Sequence, residues 1–272
     1  MVASGLSLYA GAAVAVGLFA HFSPVVAAWF RVAAAGGILA ALYRPAPRSF
    51  LGRAGLNAAV YGVTTMVMNM VFYEAIAHVA MGTAVALEFL GPVAVAAWGS
   101  RSRRDWAALC LALAGVLVIS GVVWSTNWQG IAWSLASGAL WAAYIVAGSR
   151  IAADAAVSRA AMPVGFLYAG LAGLPLVAWL WPTGSGAPGL PRVEILGLAF
   201  GLGMLSAAIP YSLDQVVLRM AGASYFALLQ AILPMVAAVV GAVALGQWLS
   251  GAEVVGIVLI VAAIVLRSLR TD

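Results

Sequence analysis

The chain contains no lysine, and few of its residues carry a charge of either sign. Charged residues occupy 8% of its 272 positions and hydrophobic residues 65%, whereas soluble domains carry about 25% charged residues. So little polarity cannot cover the surface of a water-soluble fold of this length. The mean hydropathy of +1.09 therefore predicts a protein embedded in the lipid bilayer.

Motifs for catalysis and for bound cofactors are also missing. The single cysteine, Cys110, excludes an internal disulfide and any cysteine cluster for a metal. The sequence has no zinc-binding His-Glu-x-x-His, no Gly-x-Gly-Asp and no phosphate-binding Walker loop. We therefore predict no enzyme activity, no cofactor and no metal. The basic residues form no long basic face, so we also predict no nucleic-acid partner.

Ten apolar segments follow one another along the chain. A membrane-spanning helix needs about 20 mostly apolar residues, and continuous rather than alternating apolar runs disfavour strands. Charges, proline and glycine clusters and polar turns separate the segments. Their predicted bounds are 3–21, 24–43, 54–78, 80–99, 106–123, 130–151, 160–181, 193–219, 223–245 and 251–269.

The arginines support this count. With the N-terminus in the cytoplasm, eleven of the thirteen arginines fall on the cytoplasmic side, Arg192 lies outside and Arg31 lies within a span. The cytoplasmic set is Arg44, Arg48, Arg53, Arg101, Arg103, Arg104, Arg150, Arg159, Arg219, Arg267 and Arg270. This bias follows the positive-inside rule, and a wrong helix count would scramble it. We therefore predict ten helices with both termini in the cytoplasm.

One short pattern occurs twice. Residues 86–92 recur loosely as residues 228–234, and each copy places a polar side chain four residues before a proline, Glu88 before Pro92 and Gln230 before Pro234. Two matched halves of ten helices have five helices each, and an odd number inserts the second half in the opposite orientation. We predict an all-α membrane protein with two inverted five-helix repeats, 1–123 and 130–272, around a central cavity.

Several runs resemble a known group of proteins. Tyr73–Ala75, Val85–Phe89 and Gly91–Ala96 resemble the fourth-helix region of bacterial threonine/homoserine exporters, and Ile209–Asp214 and Leu140–Ile145 resemble other stretches of them. The last run is also similar to the aromatic amino-acid exporters. Both groups belong to the EamA-type drug/metabolite transporter superfamily, whose members carry two five-helix repeats. The aromatic exporters have a tryptophan before the fourth-helix proline, where this chain has Gly91, so the resemblance does not extend to an aromatic-specific pocket.

This resemblance implies an exporter of amino acids and related small metabolites in the bacterial inner membrane. Such a transporter works by alternating access, and its energy comes from the substrate gradient or from proton exchange. A monomer is sufficient, because the two repeats of one chain enclose the cavity. A broader drug and metabolite exporter is the alternative of the same class. An intramembrane serine hydrolase using Ser137 with His21 or His78 is the remote alternative, although both histidines fall near periplasmic helix ends.

Three prolines predict kinks that expose backbone carbonyls. A proline inside a helix leaves the carbonyl four residues earlier without its donor. For Pro92, Pro234 and Pro210 these carbonyls belong to Glu88, Gln230 and Ser206. An ionised carboxylate within a span is costly and usually faces a bundle interior or a wet cavity. Glu88 is therefore a candidate for binding a proton or a substrate ammonium, and Gln230 is its counterpart in the second repeat. Hydrogen bonds to a neighbouring helix explain the polar side chains of Glu88 and Gln230 equally well.

The remaining candidates lie on other helices. Trp141 and Tyr144 share a face with Ser134 and Ser137, which suits an ammonium or an apolar side chain or ordinary helix packing. We predict further cavity residues at Asn69, Tyr73 and Tyr211, and coupling or gating residues at Glu74, Arg31 and Asp214. Arg31 and Glu88 lie at similar depth, about 10 Å, so they either pair, directly or through water, or Arg31 snorkels to the surface.

Overall fold

A computed structural model describes residues 1–19, 21–79, 81–121, 127–152, 155–182, 189, 191–236, 239 and 250–268. All regular elements among these residues are helical. The α-helices are α1 (Val2–Phe19), α2 (Pro24–Tyr43), α3 (Gly52–His78), α4 (Met81–Glu88), α5 (Leu90–Trp98), α6 (Arg103–Ser120), α7 (Trp128–Ala152), α8 (Ala155–Leu180), α9 (Arg192–Gly203), α10 (Ile209–Leu229) and α11 (Gly251–Ser268). A short 3-10 helix covers Pro47–Phe50, and a π-helix covers Met204–Ala208.

Within the described residues, five helices are long and apolar enough to cross a membrane. Shorter apolar helices cover Thr83–Trp98 and Val254–Arg267. The five long ones are Pro24–Tyr43, Gly52–His78, Trp128–Ala152, Ala160–Leu180 and Arg192–Leu229. The all-helical prediction is therefore confirmed. The predicted break between segments 193–219 and 223–245 is also confirmed, because Gly222 interrupts α10 with a φ of 70° that glycine adopts at no steric cost.

Side-chain caps fix two helix starts. The Ser23 hydroxyl accepts a hydrogen bond from the backbone N–H of Val26, and Pro24 occupies the first turn of α2. Ser102 and Asp105 form a reciprocal capping box at the start of α6. Burial raises the pKa of the Asp105 carboxyl. This increase is smaller than the decrease caused by the backbone N–H groups of Arg101 and Ser102 and by the Arg267 guanidinium, so the pKa lies below its ordinary value.

The helices pack as a bundle through close backbone contacts. Helix α3 packs against both α7 and α8, α2 packs along α8, and α6 packs along α11. Glycine makes the α3–α8 crossing possible, since a Cβ at Gly62 would lie 1.9 Å from the carbonyl oxygen of Gly165. Small residues at such crossings are typical of helices that associate in lipid. This packing places the central parts of α3, α7 and α10 next to one another.

Besides Gly222, three interruptions of helical geometry occur among the described residues. Phe89 separates α4 from α5, the π-helix precedes α10, and a turn at Gln230 and Ala231 follows α10. Each interruption ends two or three residues before one of the prolines singled out in the sequence. The predicted break between segments 160–181 and 193–219 lies largely outside the described residues, and so does the predicted break between segments 223–245 and 251–269.

Candidate functional site

The carbonyls four residues before Pro210 and Pro234 differ in their hydrogen-bond partners. Pro210 leaves the Ser206 carbonyl available as predicted, and Arg31 Nε donates to it at 2.9 Å. The Gln230 carbonyl is not free, because the backbone N–H of Leu233 donates to it at 3.0 Å. A tight turn of this i→i+3 type recovers the acceptor that Pro234 would have left open. The prediction of an available carbonyl is therefore wrong at Gln230 and right at Ser206.

Glu88 ends α4 and lies against α7. Its Oε1 accepts a hydrogen bond from the Ser137 hydroxyl at 2.5 Å, and Ser137 Oγ also lies 3.3 Å from the Met68 carbonyl oxygen. The Glu88 side chain is buried but retains 9% exposure. Among the described residues, none hydrogen-bonds its Oε2. One carboxylate oxygen is thus anchored to the protein and the other is available.

Two glycines allow the helices to approach each other beside Glu88. A Cβ at Gly91 would lie 1.9 Å from the carbonyl oxygen of Gly138 on α7. A Cβ at Gly138 would lie 2.8 Å from the carbonyl oxygen of Glu88. Any larger residue at either position would push α5 away from α7. The contact between Ser137 and Glu88 therefore depends on Gly91 and Gly138.

Arg31 is buried between α3 and the π-helix. Its Nη1 donates to Asn69 Oδ1 at 2.6 Å, and its guanidinium carbon lies 5.6 Å from the centre of the Tyr211 ring. The Asn69 amide in turn donates to the Tyr211 hydroxyl at 2.9 Å. Tyr73 is a further hydrogen-bond partner of Arg31. The structure thus brings four of the predicted residues, on three helices, into one network.

The structure shows no direct ion pair between Arg31 and Glu88. No nitrogen of Arg31 lies within 4.0 Å of a Glu88 carboxylate oxygen, although the two groups interact electrostatically. The snorkelling alternative also fails, because Arg31 is 8% exposed and bonds to groups inside the bundle. Two side chains at equal depth on two helices can still lie far apart in the plane of the membrane. The Arg31 guanidinium binds Asn69 and the Ser206 carbonyl instead.

Asp214 anchors a second buried network. Its Oδ1 accepts from the Ser4 hydroxyl at 3.1 Å, and its Oδ2 accepts from the Tyr144 hydroxyl at 3.3 Å. Ser4 Oγ also lies 3.4 Å from the Pro210 carbonyl oxygen. The Tyr144 and Tyr211 rings are 5.6 Å apart, so they connect this network with that of Arg31.

Sequence reasoning missed the residues that complete this core. The Tyr61 ring stacks on Tyr144 at 5.4 Å and on Phe166 at 6.1 Å, and the Tyr61 hydroxyl accepts from Gln215 Nε2 at 3.0 Å. A signal for Tyr61 was present, because it lies eight residues before Asn69 and so shares its helix face. Phe166, Gln215 and Ser4 gave no comparable signal.

The other predicted residues lie around these networks. Trp141 is half-buried with its ring 6.3 Å from that of Phe89. Gln230 is 2% exposed, and none of the described residues hydrogen-bonds its Oε1. Tyr73 lines a shallow apolar depression together with Phe22, Pro24, Ile76 and Ala77. Glu74 is half-buried, and its carbonyl oxygen lies 2.8 Å from His78 Nδ1.

In the described structure, Ser137 lies between Glu88 and helix α3. Its hydroxyl interacts with Glu88 and the Met68 carbonyl, and neither His21 nor His78 is a partner. Within the described residues, no three His, Cys, Asp or Glu side chains group in a way that could hold a metal ion. The site is instead a set of polar and charged side chains that bond to one another across apolar helices.

Known proteins share this sequence and fold. The threonine/homoserine exporter RhtA of Salmonella typhimurium (strain LT2) is 33% identical over 267 residues, which cover 94% of this chain and 86% of the relative. The threonine/homoserine exporter RhtA of Escherichia coli (strain K12) is 32% identical with the same coverage. A solved crystal structure superposes with a TM-score of 0.73 over 99% of this chain and 98% of that chain, and its 20% identity shows a common fold.

The family assignment follows from two of these similarities. The model of the EamA-like transporter family matches residues 128–269. The two threonine/homoserine exporters align over nearly the whole chain. The resemblance to the drug/metabolite transporter superfamily is therefore confirmed. The chain belongs to the EamA-like transporter family of membrane proteins.

Proposed function

We propose that this protein is an inner-membrane secondary transporter that exports amino acids and related small metabolites by alternating access. The observation that carries this proposal is the alignment over 94% of the chain with proteins named as threonine/homoserine exporters. Because the alignment covers both halves of the chain, it applies to the whole transporter rather than to one repeat.

The buried polar networks support this proposal. Ionisable side chains within membrane helices are rare, and they commonly line substrate and ion pathways. Arg31, Glu88 and Asp214 are all at most 9% exposed. Glu88 directly precedes the interruption at Phe89, and Arg31 bonds to the Ser206 carbonyl in the π-helix. Discontinuous helices are typical of secondary transporters, in which the freed backbone groups bind substrates and ions. A structural protein would gain little from three such costly groups.

We further infer that the chain consists of two inverted five-helix repeats, residues 1–123 and 130–272, with ten spans and both termini in the cytoplasm. Asn69 and Tyr211 support this inference, because they are 142 residues apart and hydrogen-bond each other. The same spacing separates Glu88 from Gln230. Equivalent positions of two symmetry-related repeats meet only at the symmetry axis. The packing of α2 on α8 and of α6 on α11 agrees with this symmetry, and the family match at 128–269 corresponds to the second repeat.

The test is flux of labelled threonine in proteoliposomes that contain only this protein. We expect saturable flux without ATP, and inhibition by homoserine. Flux measured with and without a pH gradient then decides between facilitated export and proton exchange. Absence of flux for every amino acid tested would refute the proposal. Equal inhibition by chemically unrelated metabolites would instead support a broader exporter.

A further inference from the structure

Arg31 and Glu88 are opposite charges that are close enough to interact electrostatically but are not paired. Each is held by its own partners, Arg31 by Asn69 and the Ser206 carbonyl and Glu88 by Ser137. Asn69 directly follows Met68 on α3, and the Met68 carbonyl oxygen lies 3.3 Å from Ser137 Oγ, so the partners hold Arg31 and Glu88 at neighbouring positions along α3.

Both groups have hydrogen-bonding capacity left for a ligand. The Oε2 atom of Glu88 lacks a hydrogen-bond partner within the described residues, and Glu88 retains 9% exposure. Arg31 carries five N–H donors, and its contacts with Asn69, Ser206 and Tyr73 leave donors over. Tyr73, a partner of Arg31, also lines the apolar depression at the start of α2 and the end of α3.

We propose that Arg31 and Glu88 together form the binding site for the charged backbone of an α-amino acid. Arg31 binds the α-carboxylate, and Glu88 Oε2 accepts hydrogen bonds from the α-ammonium. The site therefore selects zwitterions over simple amines and simple carboxylic acids. This inference rests on the proposed function, and it adds which residues recognise the substrate and by which of its groups.

The other buried polar groups are less suited to the ammonium. Asp214 has both carboxylate oxygens engaged, one by Ser4 and the other by Tyr144. Gln230 occupies the equivalent position in the second repeat, but its amide carries no charge. Charge-assisted hydrogen bonds are about twice as strong as neutral ones, so the free oxygen of Glu88 is the stronger acceptor for an ammonium.

Wild-type protein gives the first test, so that no variant has to fold. Labelled threonine exchange across proteoliposomes at equal pH is competed with threonine, threoninamide and N-acetylthreonine. Threoninamide lacks the carboxylate, and N-acetylthreonine lacks the ammonium. We expect each analogue to require at least about tenfold more compound than threonine for half-inhibition, because each loses one charge-assisted contact. If either analogue competes as well as threonine, the zwitterion site is refuted.

Matched variants give the second test. We expect Glu88→Gln and Arg31→Gln each to raise the half-saturating threonine concentration for exchange by about tenfold or more. Glu194→Gln and Arg219→Gln change the same residue types at exposed positions and should leave it unchanged. If Glu88→Gln keeps the wild-type half-saturation but loses the response to a pH gradient, Glu88 is a proton site and the inference is wrong.

These results separate the inference from the proposed function. If wild-type protein exchanges threonine but both variants keep the wild-type half-saturation, the function stands and the Arg31–Glu88 site is refuted. If wild-type protein transports no amino acid, both are refuted together. Thermal stability of each variant in detergent is measured alongside, and the analogue competition in wild-type protein decides the question for any variant that does not fold.

Discussion

Gly91→Ala tests how closely α5 and α7 must approach to form the site. The added Cβ would lie 1.9 Å from the carbonyl oxygen of Gly138, and real Cβ contacts essentially never fall below 3.0 Å. The helices must therefore separate by at least about 1.1 Å. The neighbouring atom belongs to the backbone, so no side-chain rotation relieves the clash.

The same displacement acts on the hydrogen bond between Ser137 and Glu88. That bond is 2.5 Å long, and a separation of about 1.1 Å along it would lengthen it to about 3.6 Å, beyond the 3.5 Å limit of a hydrogen bond. Overpacking of this kind costs about 1–3 kcal/mol, while alanine gains about 1 kcal/mol over glycine in helix propensity. A backbone clash belongs at the upper end, so we expect a net destabilisation of about 1–2 kcal/mol.

The assay combines thermal stability in detergent with threonine exchange in proteoliposomes. We expect Gly91→Ala to lower the melting temperature and to raise the half-saturating threonine concentration, because Glu88 loses the hydroxyl that holds its carboxylate. Gly197→Ala on α9 is the matched control, since its Cβ would meet nothing within 4 Å. Wild-type stability and exchange in Gly91→Ala would show that the helices are not in close contact there.

Two further predictions concern stability away from the site. Gly36→Ala should lower the melting temperature, because its Cβ would lie 2.8 Å from the backbone of Phe166. Gly37→Ala should leave it unchanged, because its Cβ would meet open space. Equal effects of the two substitutions would contradict the packing of α2 on α8. The depressed pKa of Asp105 means that its contribution is complete above its ordinary pKa of about 3.9 and is lost as pH falls through the lower folded-state pKa. Asp105→Asn should therefore lower the melting temperature at pH 7 and reduce its fall in acid, and an unchanged pH profile would show that the ionised carboxylate adds no stability.

The helices and kinks were predictable because their causes are local. Long apolar runs predict helices in lipid, and a proline predicts a nearby irregularity because it removes a donor. The available Ser206 carbonyl followed from Pro210 in this way. The π-helix before Pro210 did not, since its wider turn depends on how α1 and α2 pack against it.

The partners within the site were less predictable because they depend on lateral position in the bundle. Depth in the membrane placed Arg31 level with Glu88, but depth alone cannot say which helix faces each side chain. Asn69 lies on α3, which packs against α2, and its amide oxygen therefore reaches Arg31 first. Gln230 shows a similar difficulty, because the sequence does not reveal that the backbone N–H of Leu233 donates to its carbonyl.

The proposed repeats differ at equivalent positions, with a glutamate at 88 and a glutamine at 230. The cost of placing a charge in lipid explains this difference. A carboxylate at 230 as well as at 88 would add about 2.5–3.5 kcal/mol to insertion and would need a second buried cation. With glutamine at 230, Arg31 and Glu88 together carry no net charge, and a bound zwitterion keeps that total at zero. Moving a neutral site across the membrane requires no work against the potential, whereas one extra charge costs about 2.3 kcal/mol per 100 mV. A transporter built this way should therefore exchange neutral amino acids at a rate that does not change when a potential is imposed on the proteoliposomes, and a strong voltage dependence at equal pH would show that Glu88 changes its charge during the cycle.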